Sequence, residues 1–310
     1  MISSYFFGII GSSLNVALSI LLCSQSMSRT FTIFRISLHI SSVHGILMSQ
    51  TILLTKFMNI YYNGYYLHVS VWESSFIPHW MRDAWYVAAT ALTTGLWQLT
   101  PAPCILQFLL LSNGVTKGRI RSPRSTIFIA YSPSIVMMLF SAVWAMDFIP
   151  TPAFELKMLE EARVFYSFPI NQTVFIYGLS FERDPINENR STYSLSCLAV
   201  VLSYFISYII FFFVLHRVRL LLSKSVMSGR TIKLQQRFIK LQIVQGLAPL
   251  FVIAVPLTIF LFGFLLKFEG IGNLWQIQSI GFYAMPTFQS LFHIYFVKNA
   301  SRGERKQPSH

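Results

Sequence analysis

The chain has 310 residues, of which 54% are apolar and only 11% carry a charge. A soluble domain usually carries about 25% charged residues, so a chain this poor in charge cannot coat a water-facing surface, and its mean hydropathy of +0.56 indicates that lipid is its solvent. The net charge of +13 does not indicate a nucleic-acid partner, because the basic residues lie in short breaks between apolar runs rather than in a patch on a polar domain.

Seven apolar runs are long enough to cross a bilayer, since each crossing needs roughly 20 residues. In chain order they cover approximately residues 5–23, 34–54, 86–112, 127–148, 193–215, 241–266 and 275–297. Backbone hydrogen bonding in lipid requires each run to be helical, which predicts an all-α membrane protein with residues 1–310 in a single seven-transmembrane bundle. The third run contains Pro101 and Pro103, which predict a kink or a shifted helix boundary there.

The basic residues predict the orientation of the bundle. If the N-terminus is outside, 17 of the 24 lysines and arginines fall on the inner side, whereas 10 of the 11 acidic residues fall on the outer side. Basic residues concentrate on the cytoplasmic side of membrane proteins, so the C-terminal tail is predicted to be cytoplasmic. The two longest loops, about 57–85 and 149–192, are then both outer.

Glycosylation sequons agree with this orientation. Asn171 and Asn189 each begin an Asn-X-Ser/Thr sequon in the long loop that the charges place outside, whereas a third sequon at Asn299 lies in the inner tail. We therefore expect glycans on Asn171 or Asn189 and none on Asn299.

The sequence contains no convincing catalytic or metal-binding set. It lacks HExxH, GxSxG, Walker and CxxC motifs, so we predict neither an enzyme nor a bound cofactor. His39 and His44 are five positions apart, a spacing that does not place both on one helical face, and helix packing is the simpler interpretation of this pair. Cys23, Cys104 and Cys197 are too few and too scattered for a disulfide framework or a zinc site.

A neutral ligand pocket is the functional site that the remaining pattern favours. No charged residue lies deep in any run, which argues against ion transport, since transporters and channels place charges there. Neutral polar and aromatic groups in the outer halves of three spans would suit an uncharged or amphipathic small molecule. The candidates are Thr90, Thr93 and Trp97 in the third span, Ser203 and Tyr204 in the fifth, and Gln278 and Tyr283 in the seventh. The alternative is that they only hold helices together by interhelical hydrogen bonds.

A basic amphipathic helix is predicted to project inward from the sixth span. Lys233, Arg237 and Lys240 share one face by their spacing within residues 230–245, and a parallel apolar stripe follows one position later at Leu234 and Phe238. This basic surface has two possible roles. It contacts anionic lipid headgroups, or it docks a cytoplasmic partner.

The same segment resembles a known family. The chain reads MSxxTxKLQxxF from Met227 to Phe238, followed by Gln245 and Pro249, and this pattern is similar to the entry into the sixth helix of nematode serpentine chemoreceptors of the Str superfamily. The branches of that superfamily include Str, Srd, Srh and Sri, and the pattern does not distinguish among them. The short N-terminus, the seven spans and the short basic tail agree with the same architecture.

The resemblance implies a G-protein-coupled receptor for environmental chemicals, placed in the plasma membrane and displayed on the cilium of a sensory neuron. A heterotrimeric G protein would then contact the inner surface, for which the candidate residues are Arg119, Arg121, Arg217, Arg219, Lys233, Arg237 and Lys240. The chain departs from rhodopsin-like receptors after the third span, where it reads Leu111-Ser112-Asn113-Gly114 instead of Asp-Arg-Tyr, and it has no cysteine pair placed for their outer disulfide. The alternative function is a multi-pass transporter or a ligand-gated channel subunit, which would favour inverted repeats or a charged midplane site.

Overall fold

The chain folds into a mostly helical bundle, described here from a computed structural model. The structure describes residues 2–24, 29–56, 58–62, 65–72, 78–115, 122–166, 173–180, 193–224, 227–254 and 272–305. The helices are α1 (Ile2–Ser24), α2 (Arg29–Thr55), α3 (His79–Gln98), α4 (Pro101–Val115), α5 (Pro123–Ala145), α6 (Pro152–Tyr166), α7 (Tyr193–Ser223), α8 (Gly229–Pro249) and α9 (Gly272–Arg305).

The described helices overlap the predicted spans, whereas residues 255–266 of the predicted sixth span lie outside the described part of the chain. The third span consists of α3 and α4, and α6 lies in the outer loop between the fourth span (α5) and the fifth (α7). The predicted inner amphipathic helix and the start of the sixth span form one continuous helix, α8, which a π-helix follows at Leu250–Ala254. The seventh span is α9. Within the described part of the chain, three stretches are long and apolar enough to cross a membrane by length and hydropathy alone, namely Ile2–Ser24, Pro123–Phe148 and Val201–Ser223.

The distribution of side chains is that of a protein in lipid. On α5 the large apolar side chains Phe128, Val136 and Leu139 are exposed, whereas the small and polar side chains Ser134 and Ser141 face the bundle. A water-soluble helix has the opposite pattern, because burial of apolar surface then drives folding. In lipid the apolar side chains gain nothing from burial, and small and polar residues form the helix contacts instead.

The third span breaks at Leu99 and Thr100, at the prolines that predicted a kink. Pro101 has no N–H to donate to the Trp97 carbonyl, and the Thr100 N–H takes its place at 3.2 Å. The Thr100 hydroxyl also donates to the Leu96 carbonyl at 2.9 Å. The carbonyls at the break therefore keep partners without water, as the bilayer core requires.

Asn15 joins the first, second and seventh spans. Its side-chain amide donates to the main-chain carbonyl of Gly11 at 2.8 Å and to that of Pro286 at 3.2 Å. The main-chain carbonyl of Asn15 accepts from the Ser42 hydroxyl at 2.6 Å. Gly45 leaves the space that the Asn15 side chain occupies, because a Cβ at Gly45 would lie 2.6 Å from the Asn15 Oδ1.

Both long outer loops contribute to one small antiparallel sheet, which the helical patterns did not predict. Strands β1 (Met58–Tyr62) and β2 (Tyr65–Trp72) form a hairpin between the second and third spans. Strand β3 (Thr173–Ser180), from the loop between the fourth and fifth spans, pairs with β2 so that Tyr65 faces Ser180 and Trp72 faces Thr173. The sheet packs on the outer ends of the third and fourth spans, where Tyr86 and Phe148 lie.

We predict that Gly45→Ala destabilises the bundle, because the new methyl group overlaps the Asn15 amide and forces it away from its carbonyl partners. Overpacking of this kind costs about 1–3 kcal/mol, which thermal unfolding of the purified protein in detergent would measure as a lower midpoint. Gly229→Ala is the matched control, since a Cβ there meets nothing within 4 Å. Equal midpoints for the two variants would contradict this packing.

Candidate functional site

Four of the predicted pocket residues lie in one buried cluster between the third, fifth and seventh spans. Trp97, Tyr204 and Tyr283 belong to the same contiguous apolar core, together with Met48 of the second span. The Trp97 indole N–H donates to the Ser203 hydroxyl at 3.3 Å, and its ring meets that of Tyr204 edge to face with 5.9 Å between centroids. The structure therefore brings together aromatic rings and hydroxyl groups from distant parts of the sequence, since Trp97 and Tyr283 are 186 positions apart.

The hydroxyl of Tyr283, like that of Tyr204, is a polar group of this cluster with an unused hydrogen-bonding position among the described residues. The side chain is buried, and its hydroxyl has no hydrogen-bond partner among the described residues. A buried hydroxyl without a partner costs about 1–3 kcal/mol. A ligand carrying a neutral hydrogen-bonding group would recover that loss when it binds.

The other three pocket candidates are less closely placed. Thr90 and Thr93 lie on α3, each partly buried, and within the described part of the chain neither makes a side-chain hydrogen bond to this cluster. Gln278 lies in α9, but its side chain is outside the described residues. Their role in a pocket stays a prediction.

Tyr208 belongs to the site although it was not among the candidates. It lies one turn after Tyr204, with 4.7 Å between the two ring centroids, and its hydroxyl donates to the Gly246 carbonyl of α8 at 2.9 Å. Gly246 permits this approach, because a Cβ there would lie 2.6 Å from the Phe211 ring. The signal in the sequence was the i, i+4 spacing of two tyrosines in a run of phenylalanine and isoleucine.

The Tyr208 hydrogen bond lies beside an irregular part of the sixth span. Leu250 donates its N–H to the Leu247 carbonyl, three residues earlier, rather than to Gly246. The Tyr208 hydroxyl thus bonds a carbonyl that does not accept from Leu250, next to Pro249 and the π-helix. The aromatic cluster is thereby connected to the bend in the sixth span.

An ionic cluster fixes the outer loops to the third span. Arg82 at the outer end of α3 is 5% exposed and bonds the carboxylate of Asp83 at 3.3 Å and that of Glu155 in α6 at 3.1 Å. Its guanidinium also lies over the Phe175 ring of β3, 4.3 Å from the centroid. The Tyr177 hydroxyl donates to Asp83 at 3.2 Å, and burial raises its pKa, so it remains a neutral donor.

Aromatic stacking continues this attachment into the sheet. The rings of Tyr86 and Tyr177 stack with 3.9 Å between centroids and 4° between planes. His68, the partner of Tyr177 across the sheet, meets Tyr86 edge to face at 5.7 Å and lies 5.9 Å from Phe148. Burial among these rings lowers the pKa of His68 to about 4, so the neutral ring is the form that the folded sheet holds.

The inner surface presents the predicted basic groups. Lys233, Arg237 and Lys240 are exposed on α8, as are Arg217 and Arg219 on α7. The opposite face of α8 is buried, and Phe238 packs on Phe34 of α2 with 4.1 Å between ring centroids. Arg119 and Arg121 lie outside the described residues, as do the predicted glycosylation sites Asn171 and Asn189.

No metal site is evident in the described ranges from 2 to 305, where no three His, Cys, Asp or Glu side chains come together as ligands.

Comparison with known proteins identifies the architecture. The family model described as "Serpentine type 7TM GPCR chemoreceptor Srh" matches residues 108–295. The crystal structure of squid rhodopsin is similar with a TM-score of 0.52 and 11% sequence identity, over 99% of this chain and 86% of that one. At this identity the likeness shows the seven-helix fold alone. A search of curated proteins found no match.

We predict that acid destabilises the outer sheet through His68. In the unfolded chain the His68 ring takes up a proton near pH 6.5, whereas in the folded chain it does so near pH 4. The stability that the neutral ring contributes is therefore complete above pH 6.5 and is lost as the pH falls towards 4. His68→Phe should flatten the fall of the unfolding midpoint between these values, measured by thermal unfolding at a series of pH values.

The control for this effect is His79→Phe, which replaces an exposed histidine at the start of α3. It should keep the acid dependence of the parent. If His68→Phe shows the same dependence as the parent, the acid sensitivity arises elsewhere in the chain.

Proposed function

Since the chain belongs to the Srh family of serpentine seven-transmembrane chemoreceptors, we propose that it binds a small neutral molecule in the aromatic cluster between its third, fifth and seventh spans and signals to a heterotrimeric G protein at its inner surface. The observation that carries this proposal is the buried Tyr283 hydroxyl, which has no partner among the described residues and lies in a cluster that also contains Trp97 and Tyr204.

The composition of the cluster supports a neutral ligand. Its buried members are aromatic and aliphatic side chains with Met48, Met285 and Cys104, and none of them carries a charge. A ligand with a formal charge would lose its hydration without gaining an opposite charge, which is costly in a low-dielectric interior. A largely apolar molecule with one hydrogen-bonding group, such as a ketone, ester or alcohol, fits this surface.

Contacts between the cluster and the sixth span support a route for the signal. A ligand against Trp97 or Tyr204 changes the packing of Tyr208, whose hydroxyl holds the Gly246 carbonyl beside the bend at Pro249. A shift at this bend moves the inner part of α8, which carries Lys233, Arg237 and Lys240. Prolines and π-helical turns are the places where helices bend.

The test of the pocket is ligand screening of cells that express the chain, with second-messenger and membrane-current readouts together. Tyr283→Phe removes one hydroxyl, and the loss of one hydrogen bond of about 1 kcal/mol should raise the half-maximal concentration of an activating ligand about fivefold. Trp97→Ala removes a large buried contact and should raise it roughly a hundredfold, as expected for about 3 kcal/mol.

The matched control is Tyr295→Phe, which removes the same hydroxyl from the same helix at a side chain that is 71% exposed. It should respond like the parent. Unchanged responses of both Tyr283→Phe and Trp97→Ala, at normal surface display, would exclude this cluster as the pocket. A ligand-gated current that needs no G protein would instead favour the channel alternative.

We further predict that replacing Lys233, Arg237 and Lys240 together by Gln weakens coupling while ligand binding and surface display persist. Helix propensity changes little with these substitutions, but three exposed positive charges that attract an acidic partner surface are lost. Nucleotide exchange on the G protein, normalised to the number of displayed receptors, would measure the effect.

The control keeps the charges and changes the side chains, with Lys233→Arg, Arg237→Lys and Lys240→Arg. It should retain coupling. If the Gln variant instead fails to reach the surface while exchange per receptor stays normal, the basic face contacts anionic lipid, where each basic group contributes about 1 kcal/mol.

A further inference from the structure

A second polar site lies in the bundle, at a cavity of about 40 Å³ that touches four spans. Its walls come from the second, third, sixth and seventh spans, and its polar lining consists of two histidines, three glutamines, a serine and a threonine. These residues are Ser41, His44, Thr100, Gln242, Gln245, Gln289 and His293. The aromatic residues of the proposed ligand pocket, Trp97, Tyr204 and Tyr283, do not line it.

Two buried donors face this cavity without an acceptor. His293 is 1% exposed, and its Nδ1 has no hydrogen-bond partner among the described residues. Gln242 is 3% exposed, and its Nε2 likewise has no hydrogen-bond partner there. Gln245 donates its amide N–H to the His293 Nε2, so the neutral ring carries its proton on Nδ1. The Gln242 amide oxygen already accepts from the Cys104 thiol at 3.2 Å, which leaves its N–H groups as donors.

His44 supplies the complementary acceptor. Its Nε2 donates to the Leu92 carbonyl at 2.9 Å, so Nδ1 is the acceptor nitrogen of the neutral ring. Gly95 provides room for this ring, because a Cβ there would lie 2.7 Å from the His44 Nε2. Donors on the sixth and seventh spans and an acceptor on the second therefore surround one small space.

We propose that this cavity is a binding site for a cluster of about three water molecules, which bridges the Gln242 and His293 donors to the second and third spans. Each water needs roughly 10–15 Å³ and two to four polar partners, and the space of about 40 Å³ with its polar walls supplies both. No carboxylate, lysine or arginine lines the cavity, so its chemistry suits a neutral hydrogen-bonding ligand better than an ion.

The position of the cavity gives the water a mechanical role. Leu99 and Thr100, at the break in the third span, line it directly. Gln245 precedes Pro249 by one turn, and Gln289 follows Pro286 by about one turn. The irregular parts of three spans therefore meet around the same cluster, and the sixth span cannot move relative to the seventh without rearranging its hydrogen bonds.

Radiolytic labelling in heavy-oxygen water tests the proposal on the full chain in lipid nanodiscs. Hydroxyl radicals formed from bound water oxidise neighbouring side chains even where bulk solvent has no access. His44 and His293 should incorporate heavy oxygen several-fold faster than Phe34 and Phe238, a buried and reactive ring pair away from the cavity. Labelling of the two histidines no faster than that of these rings would overturn the proposal.

Gln242→Met removes one of the two unpaired donors and should reduce labelling of His44 and His293 several-fold. Gln98→Met is the matched control, since Gln98 is equally buried in the neighbouring helix but bonds Ser141 and does not line the cavity. Equal labelling in the two variants would show that Gln242 does not hold the water. Loss of labelling when sodium replaces choline in the buffer would show that a cation occupies the site instead. None of these measurements uses receptor activation, so their outcome is independent of the proposed chemosensory function.

Discussion

The absence of water from the bilayer core is the constraint on which the structure depends. Polar groups inside the bundle need partners there, and the chain supplies many of these partners as neutral pairs between helices. Gln107 donates to Gln235 at 2.5 Å, Gln98 to Ser141 at 2.8 Å, and Trp97 to Ser203 at 3.3 Å. Each bond joins the third span to another helix, which makes this span the centre of the polar contacts. The arrangement leaves the exposed faces to phenylalanine, isoleucine and leucine, which contact lipid without a polar cost.

The same constraint explains where the bundle is able to move. Prolines remove helix hydrogen bonds, and each irregularity needs a substitute donor. Thr100 supplies it in the third span and Tyr208 in the sixth, while the polar cavity lies between these spans and the seventh. In the sixth span this bond comes from a side chain, so one rotamer change of Tyr208 breaks it. The irregular parts of the bundle therefore lie beside the aromatic cluster in which we propose that the ligand binds.

On the outer side, an ionic and aromatic cluster links the outer end of the third span to the loop after the fourth. Arg82 is the centre of this link, with Asp83, Glu155 and the rings of Phe175 and Tyr177 around it. A buried cation that loses one carboxylate is left uncompensated, which is strongly destabilising. The attachment therefore depends on Arg82 together with both of its carboxylate partners.

Composition and periodicity alone determined the membrane class and the helical architecture, and they predicted the basic face of α8, because these follow from local requirements such as the length of a span and the spacing of charges. They also selected Trp97, Ser203, Tyr204 and Tyr283, which stand out as polar or aromatic groups in apolar runs. They did not reveal the outer sheet, the role of Arg82 or the link from Tyr208 to Gly246, because each of these joins residues far apart in the chain. Strand pairing, burial of a charge and the approach of two helices at a glycine are decided only when the whole bundle packs, and the tertiary structure alone shows them.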